Sequence, residues 1–404
     1  MDKKLLFSAL LFIVIISCND KSNTINNQFK SIEIQDKYIV VNFEESGFTG
    51  SRIEFRAKGK ITADTANAGK DITVQITSPS QKVAVNPGSG YDITIVDLTS
   101  GAEKILYQKS DITTYLFYDE FYQNEALPAN AEQAENLEPW KGKWIAAWKG
   151  GAAWNHSMNG SFRNLELKKE GDTEYLHFKA SKTGNEDSTS TGSGIRTGGS
   201  KQVFYFTYGK AEFRARLKNQ AENPTKGPFP ALWLMPSKGD DELNPNWANW
   251  AAGGEIDIME YVYKTPERID QTIHVGEDGP NYDYSPGNQP ITNIDEWHIY
   301  TLEWTKEGIY WYIDGVKGRD PYLKTNDILK YPFVDKSAFH IIMNVGVGRA
   351  NNNGKEDDYP GGAQAGLETW MDVDWVKVSP NKDTILDNSR GTNGCEYYKD
   401  VQWE

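Results

Sequence analysis

The sequence predicts an all-β chain, a small β-sandwich followed by a larger two-sheet jelly roll. Three observations carry that reading. Short alternating runs recur in the first part of the chain, as in Tyr38–Phe43, Ile72–Ile76 and Tyr91–Val96, and strand-like segments such as Tyr175–Ala180 and Phe339–Val345 follow in the rest. Gly, Asn and Pro punctuate them, and no long stretch keeps a helical period. At 404 residues the chain can also fill more than one core.

Met1 to Cys18 reads as a secretion segment. Asp2-Lys3-Lys4 is its charged start, and Leu5 to Ile16 is an apolar run too short to span a bilayer comfortably. It ends Ile15-Ile16-Ser17-Cys18, which resembles the processing box of bacterial lipoproteins, whose cysteine is lipidated. Cys18 is thus the expected lipidation residue, with an ordinary signal peptide as the alternative. That leaves Cys395 unpaired and no disulfide framework. Residues 19–29 are polar and form a tether. The expected place is the cell envelope, on the periplasmic side or the outer-membrane surface.

Residues 30–111 form the small sandwich, with Pro87-Gly88-Ser89-Gly90 as a strong turn signal. No catalytic cluster is visible there, so the segment is a spacer or an accessory carbohydrate-binding module. Leu116–Phe121 opens the second domain, residues 112–380, whose curved inner sheet is expected to form a cleft. Residues 381–404 read as a surface tail that Tyr397, Tyr398 and Trp403 dock.

A net charge of -14 argues against a nucleic-acid partner. Thirteen Trp and 21 Tyr are more aromatic surface than a core needs, which suits stacking on sugars. The five histidines show no metal-ligand spacing.

The chemistry concentrates in Gly253-Gly254-Glu255-Ile256-Asp257-Ile258-Met259-Glu260-Tyr261. In a flat strand Glu255 and Asp257 share a face and Glu260 points the other way. One extra residue, a β-bulge around Ile258-Met259, returns Glu260 to the face of the other two. Ile256 and one or both of Ile258 and Met259 then pack behind. Crowded carboxylates raise at least one pKa, and two of them about 5–5.5 Å apart can cleave a glycoside with retention. An acidic triplet is also commonly a solvated face; from the residues alone, either glutamate can be the nucleophile.

Gly254–Tyr261 resembles the active-site strand of glycoside hydrolase family 16, in its bulged, laminarinase-like branch. Supporting segments occur in family order: Phe206–Arg216, Pro230–Pro236, Thr272-Ile273-His274, Trp297–Trp304, Trp311–Gly315 and Met371–Val378. The resemblance implies a concanavalin-like jelly roll and a retaining endo-glycosidase. It implies Glu255 as nucleophile, Glu260 as acid and then base, and Asp257 as the residue that positions Glu255. It further implies Trp250 and Trp233 as cleft tryptophans, with Trp247 beside them, and His274 near the acid/base. Trp304, Trp311 and His298 match structural positions. No cofactor is required, although some relatives carry a structural calcium, for which Glu120 and Asp374 are the matching oxygen donors.

The segments Ala153-Trp154-Asn155-His156 and Ser193-Gly194-Ile195-Arg196 depart from common laminarinase patterns, as does Asn344–Arg349. They make Trp154, His156, Arg196 and Arg349 candidate subsite contacts. The expected substrate is a polysaccharide or long glycan, with β-1,3- or β-1,3-1,4-glucan first and β-1,4-galactosyl chains of mucin or algal type second. The alternative from another class is a non-hydrolytic carbohydrate-binding protein. The chain is expected to work as a monomer, touching the membrane only through its lipid.

Overall fold

The computed structural model describes residues 28–46, 48–49, 52–128, 139–147, 152–153, 156–157, 162–198, 203–219, 226–237, 253–262, 265–276, 282–324, 338–348 and 362–386. These fall into two compact units. The first holds the described residues up to Thr62 together with Asn67–Thr114; the second holds Ala63–Ala66 and the described residues from Tyr115 onward. The division comes slightly later than the expected 111/112, because the strand Lys104–Thr113 carries the first unit on to Thr113.

The first unit is a sandwich of two antiparallel sheets. One holds Phe29–Ile34, Tyr38–Phe43 and Ser80–Ala84; the other holds Ile72–Ile76, Ile53–Gly59, Gly90–Asp97 and Lys104–Thr113 in that order. Alternation sets which side is buried: Ile39, Val41 and Phe43 from one sheet face Ile53, Phe55, Tyr91, Ile93 and Ile95 from the other. Gly88, at φ 62°, makes the turn expected at Pro87–Gly90.

The second unit also stacks two antiparallel sheets. A nine-stranded sheet runs from Ala152–Ala153 and His156–Ser157 through Phe339–Gly348, Pro228–Pro236, Glu255–Glu260 and Arg268–Gly276 to Tyr282–Pro290. Ser193–Arg196 extends it beside Phe339–Gly348 and pairs with Ile145–Ala146. A ten-stranded sheet is built around Thr173–Lys182, Leu367–Ser379, Gly209–Leu217, His298–Trp304 and Gly308–Ile313. Short 3-10 turns occur at Phe162–Asn164 and Asp187–Thr189.

Apolar residues from both sheets meet in one core. Leu232, Leu234, Ile256, Ile273, Ile341 and Met343 come from the nine-stranded sheet, and Phe213, Tyr300, Leu302, Trp304, Trp311 and Val376 from the other. Trp304 and Trp311 are fully buried, as their strand positions imply. At the far end, Asn381 donates to the Trp304 carbonyl and Thr384 to the Tyr208 carbonyl, pinning the chain as far as Leu386. Tyr397, Tyr398 and Trp403 lie outside the described residues.

Candidate active site

Gly254 opens the acidic strand at φ 87°, a conformation that only glycine takes without strain. The strand Glu255–Glu260 then runs between Pro228–Pro236 and Arg268–Gly276. Its registers locate the bulge. On one side Trp233 pairs with Asp257 while the adjacent Leu232 pairs with Met259, so Ile258 is the extra residue. On the other, Ile256 pairs with Ile273 and Glu260 with Asp270, a four-residue step against three. A flat strand would have sent Glu260 into the core; the extra residue brings it back beside Glu255 and Asp257. Ile256, Ile258 and Met259 all enter the core, so both residues left open by the sequence pack inward. Glu255 and Glu260 are half-buried and Asp257 is 1% exposed.

Cross-strand partners share a face, so the registers map the groups around the acids. His274 stands opposite Glu255, and its Nε2 lies 3.2 Å from Asp257 Oδ2. One polar atom each from Glu255, Asp257 and His274 falls within 4.8 Å of the others. Burial alone would lower the His274 pKa. Its contact with Asp257 and the negative charges of Asp257 and Glu255 outweigh that and hold it above its ordinary value. Asp270 stands opposite Glu260, and burial pushes its carboxyl up against the pull of Arg268.

Trp233 is opposite Asp257, half-exposed, with its Nε1 donating to Asn344 Oδ1 at 2.7 Å. Arg196 reaches the same row through Ile342. From the ten-stranded sheet, Trp311 Nε1 donates to the backbone carbonyl of Asp257 at 2.8 Å. The fold thus gathers Glu255, Asp257, Glu260, Trp233, His274 and Arg196 on one face. Trp250, Trp247, Trp154, Arg349 and Cys18 lie outside the described residues, as does the side chain of His156.

Sequence reasoning overlooked Asp270 and Asn344. Asp270 sits four residues before His274, and that even offset along a strand was the available signal. Asn344 had no such local signal, because Trp233 reaches it only through strand pairing. His298 is structural, as its motif implies, bonding Asp314 Oδ2 at 2.7 Å and the Asn293 carbonyl at 3.0 Å.

Glu120 and Asp374, the expected calcium donors, are each engaged by a side chain of the chain itself. Arg214 Nη1 bonds Asp374, and the Tyr122 hydroxyl bonds Glu120. Burial pushes Asp374 up while Arg214 opposes it, so this donor set already holds a cation of its own. A calcium ion on these strands would have to compete with Arg214 for Asp374.

Fold and site together define a β-sandwich whose central bulged strand presents three acids on one sheet face, with a histidine from the next strand beside them. The chain belongs to Glycosyl hydrolases family 16, whose family model matches residues 149–376. It is 34% identical over 158 residues to a beta-glucanase of Rhodothermus marinus, covering 36% of this chain and 49% of that one. It is 31% identical over 192 residues to glucan endo-1,3-beta-glucosidase A1 of Niallia circulans, covering 44% and 25%. The chain thus spans less than two thirds of the length of either relative. The X-ray structure of the laminarinase from Rhodothermus marinus shares the fold, with TM-score 0.50 at 24% identity over 66% of this chain and 97% of that one.

Proposed function

We propose that the chain is a retaining endo-glycosidase that hydrolyses internal β-linkages of a β-1,3- or β-1,3-1,4-glucan. The bulge carries this reading, because it sets Glu255 and Glu260 on one face with Asp257 between them. Glu255 attacks the anomeric carbon as protonated Glu260 gives its proton to the departing glycosidic oxygen, so that a glycosyl ester forms and the glycosidic bond breaks. Glu260, now a carboxylate, takes a proton from water; the oxygen of that water displaces Glu255 from the sugar. Asp257 steers the Glu255 carboxylate, and His274 holds Asp257 from the next strand. The half-exposed Trp233 offers a ring edge for the sugar, fixed by Asn344.

The beta-glucanase and endo-1,3-beta-glucosidase relatives favour a glucan. A β-1,4-galactosyl chain is the second reading, favoured by Arg196, which stands in the Trp233–Asp257 row on a strand that departs from the laminarinase pattern. A purely binding protein has no need of an acid pair arranged this way. The enzyme would act as a monomer at the cell envelope, attached through lipid on Cys18; among the described residues no helix is long and apolar enough to cross a membrane.

The test is reducing-end release from laminarin, lichenan, agarose, porphyran and mucin glycans. New reducing ends from laminarin or lichenan with β-anomeric first products support the proposal. Release from galactans alone would move it to the second reading. No release from any of them would leave the binding protein.

A further inference from the structure

A buried arginine stands behind the acidic strand and takes no part in either step of the reaction. Arg319 follows the hairpin at Asp314-Gly315 and is 9% exposed. Its Nη1 donates to the Gln271 carbonyl at 2.8 Å and its Nε to the Asp320 carbonyl at 3.0 Å. The guanidinium lies 4.5 Å from the centroid of the Trp311 ring. Burial lowers its pKa to about 10, with Asp320 opposing, so it remains a cation at neutral pH.

The fold makes room for this group. A Cβ at Gly287 would lie 2.5 Å from Arg319 Cδ and 2.6 Å from Nε, so the strand beside Gln271 must carry glycine there. Burying a guanidinium is costly, and an apolar side chain of the same volume would ordinarily serve stability better. The position of the arginine relative to the bulge supplies a reason for it. Between the pairs Ile256–Ile273 and Glu260–Asp270 the ladder is interrupted, with Asp257, Ile258 and Met259 facing Gln271 and Thr272. Trp311 donates to the Asp257 carbonyl on one side of that gap. Arg319, stacked on the same indole, donates to the Gln271 carbonyl on the other. A cation on the ring also polarises the indole N–H and strengthens its bond to Asp257.

We propose that Arg319 is a positioning residue for catalysis: stacked on Trp311, it staples the interrupted ladder and fixes the bulge that aims Asp257 and spaces Glu255 from Glu260. The proposal rests on the catalytic reading above. Misplacing a reacting carboxylate by about 1 Å can cost about 100-fold in rate. The staple touches no sugar, so its loss should appear in kcat and leave KM nearly unchanged.

The test compares the full chain with R319M, R319K and W311F on the glucan that the unaltered chain cleaves best, well below the lowest melting temperature. R319M should lower kcat by about 10- to 100-fold with KM within about twofold, and R319K should recover part of that loss. Combining R319M with W311F should cost less than the product of the two single losses, because both act on one element. A folded R319M with wild-type kcat would overturn the staple, and so would losses confined to KM. If R319M does not fold, R319K decides: its single ammonium cannot bond Gln271 and cover the indole at once, so an unchanged kcat overturns the proposal. Inactivity of the unaltered chain would instead count against the catalytic reading itself.

Discussion

His274 and Asp257 meet across two strands, Nε2 to Oδ2 at 3.2 Å, and the contact makes the site sensitive to pH. The folded pKa of His274 is raised above 6.5, so the native chain binds that proton more tightly than the unfolded one. The resulting stability is fully present below the unfolded value and is lost as pH rises through the folded one. Melting temperatures of wild type and His274→Gln, taken from about pH 5 to about pH 9, should therefore differ most below about 6.5 and converge above. A difference constant across that range would show that the pair is not ionic.

The roles of the two glutamates separate by leaving group. Glu255→Gln should lower turnover by several orders of magnitude on every substrate, because no glycosyl ester can form. Glu260→Ala should lose about 10²- to 10⁴-fold on glucan. It should lose far less on a dinitrophenyl glycoside, whose leaving group departs without a proton. Equal losses on both substrates would reverse or dissolve the assignment.

Trp233 and Asn344 form a polar joint in the floor of the same face. Asn344 is 1% exposed, its Oδ1 takes the indole proton, and its Nδ2 has no partner among the described residues. Trp233→Phe keeps a ring but leaves a buried oxygen unbonded, a loss of about 1–3 kcal/mol. Because the ring would serve sugar binding and not proton transfer, KM should rise several-fold while kcat changes little. Isothermal titration of the Glu255→Gln background with an oligosaccharide would report the binding loss directly, and unaltered affinity would remove Trp233 from the subsite.

What the sequence made legible follows range of interaction. Alternation along single strands marks the buried sides in both units, as at Ile39, Val41 and Phe43 or Leu232 and Leu234. The bulge was legible because three acids have use for one face only if a residue is added. Its exact seat was not: Ile258 and Met259 are both apolar, and only the register against Leu232 and Trp233 separates them. Pairings between distant strands leave no local trace. Arg214 engages Asp374, and Arg319 arrives behind Asp257 from a hairpin about sixty residues further on, neither visible in any motif.

Asp270 bears on the proton that Glu260 must hold. It stands opposite Glu260 on the same face, and burial has already pushed its own carboxyl upward. Around it lie Arg268, which favours its ionised form, and Glu267, which opposes it. Once Asp270 ionises, its negative charge disfavours ionisation of Glu260 and so raises the pKa of the acid that must keep its proton. Asp270→Asn removes that charge while keeping the shape. The pKa of Glu260 should fall, and the alkaline limb of kcat/KM, which reports loss of the acid's proton in the free enzyme, should move to lower pH. The acidic limb, set by the nucleophile, should move less. A pH–rate profile on soluble glucan measures both limbs at once; an alkaline limb that stays in place, or moves upward, would mean that Asp270 does not govern the proton of Glu260.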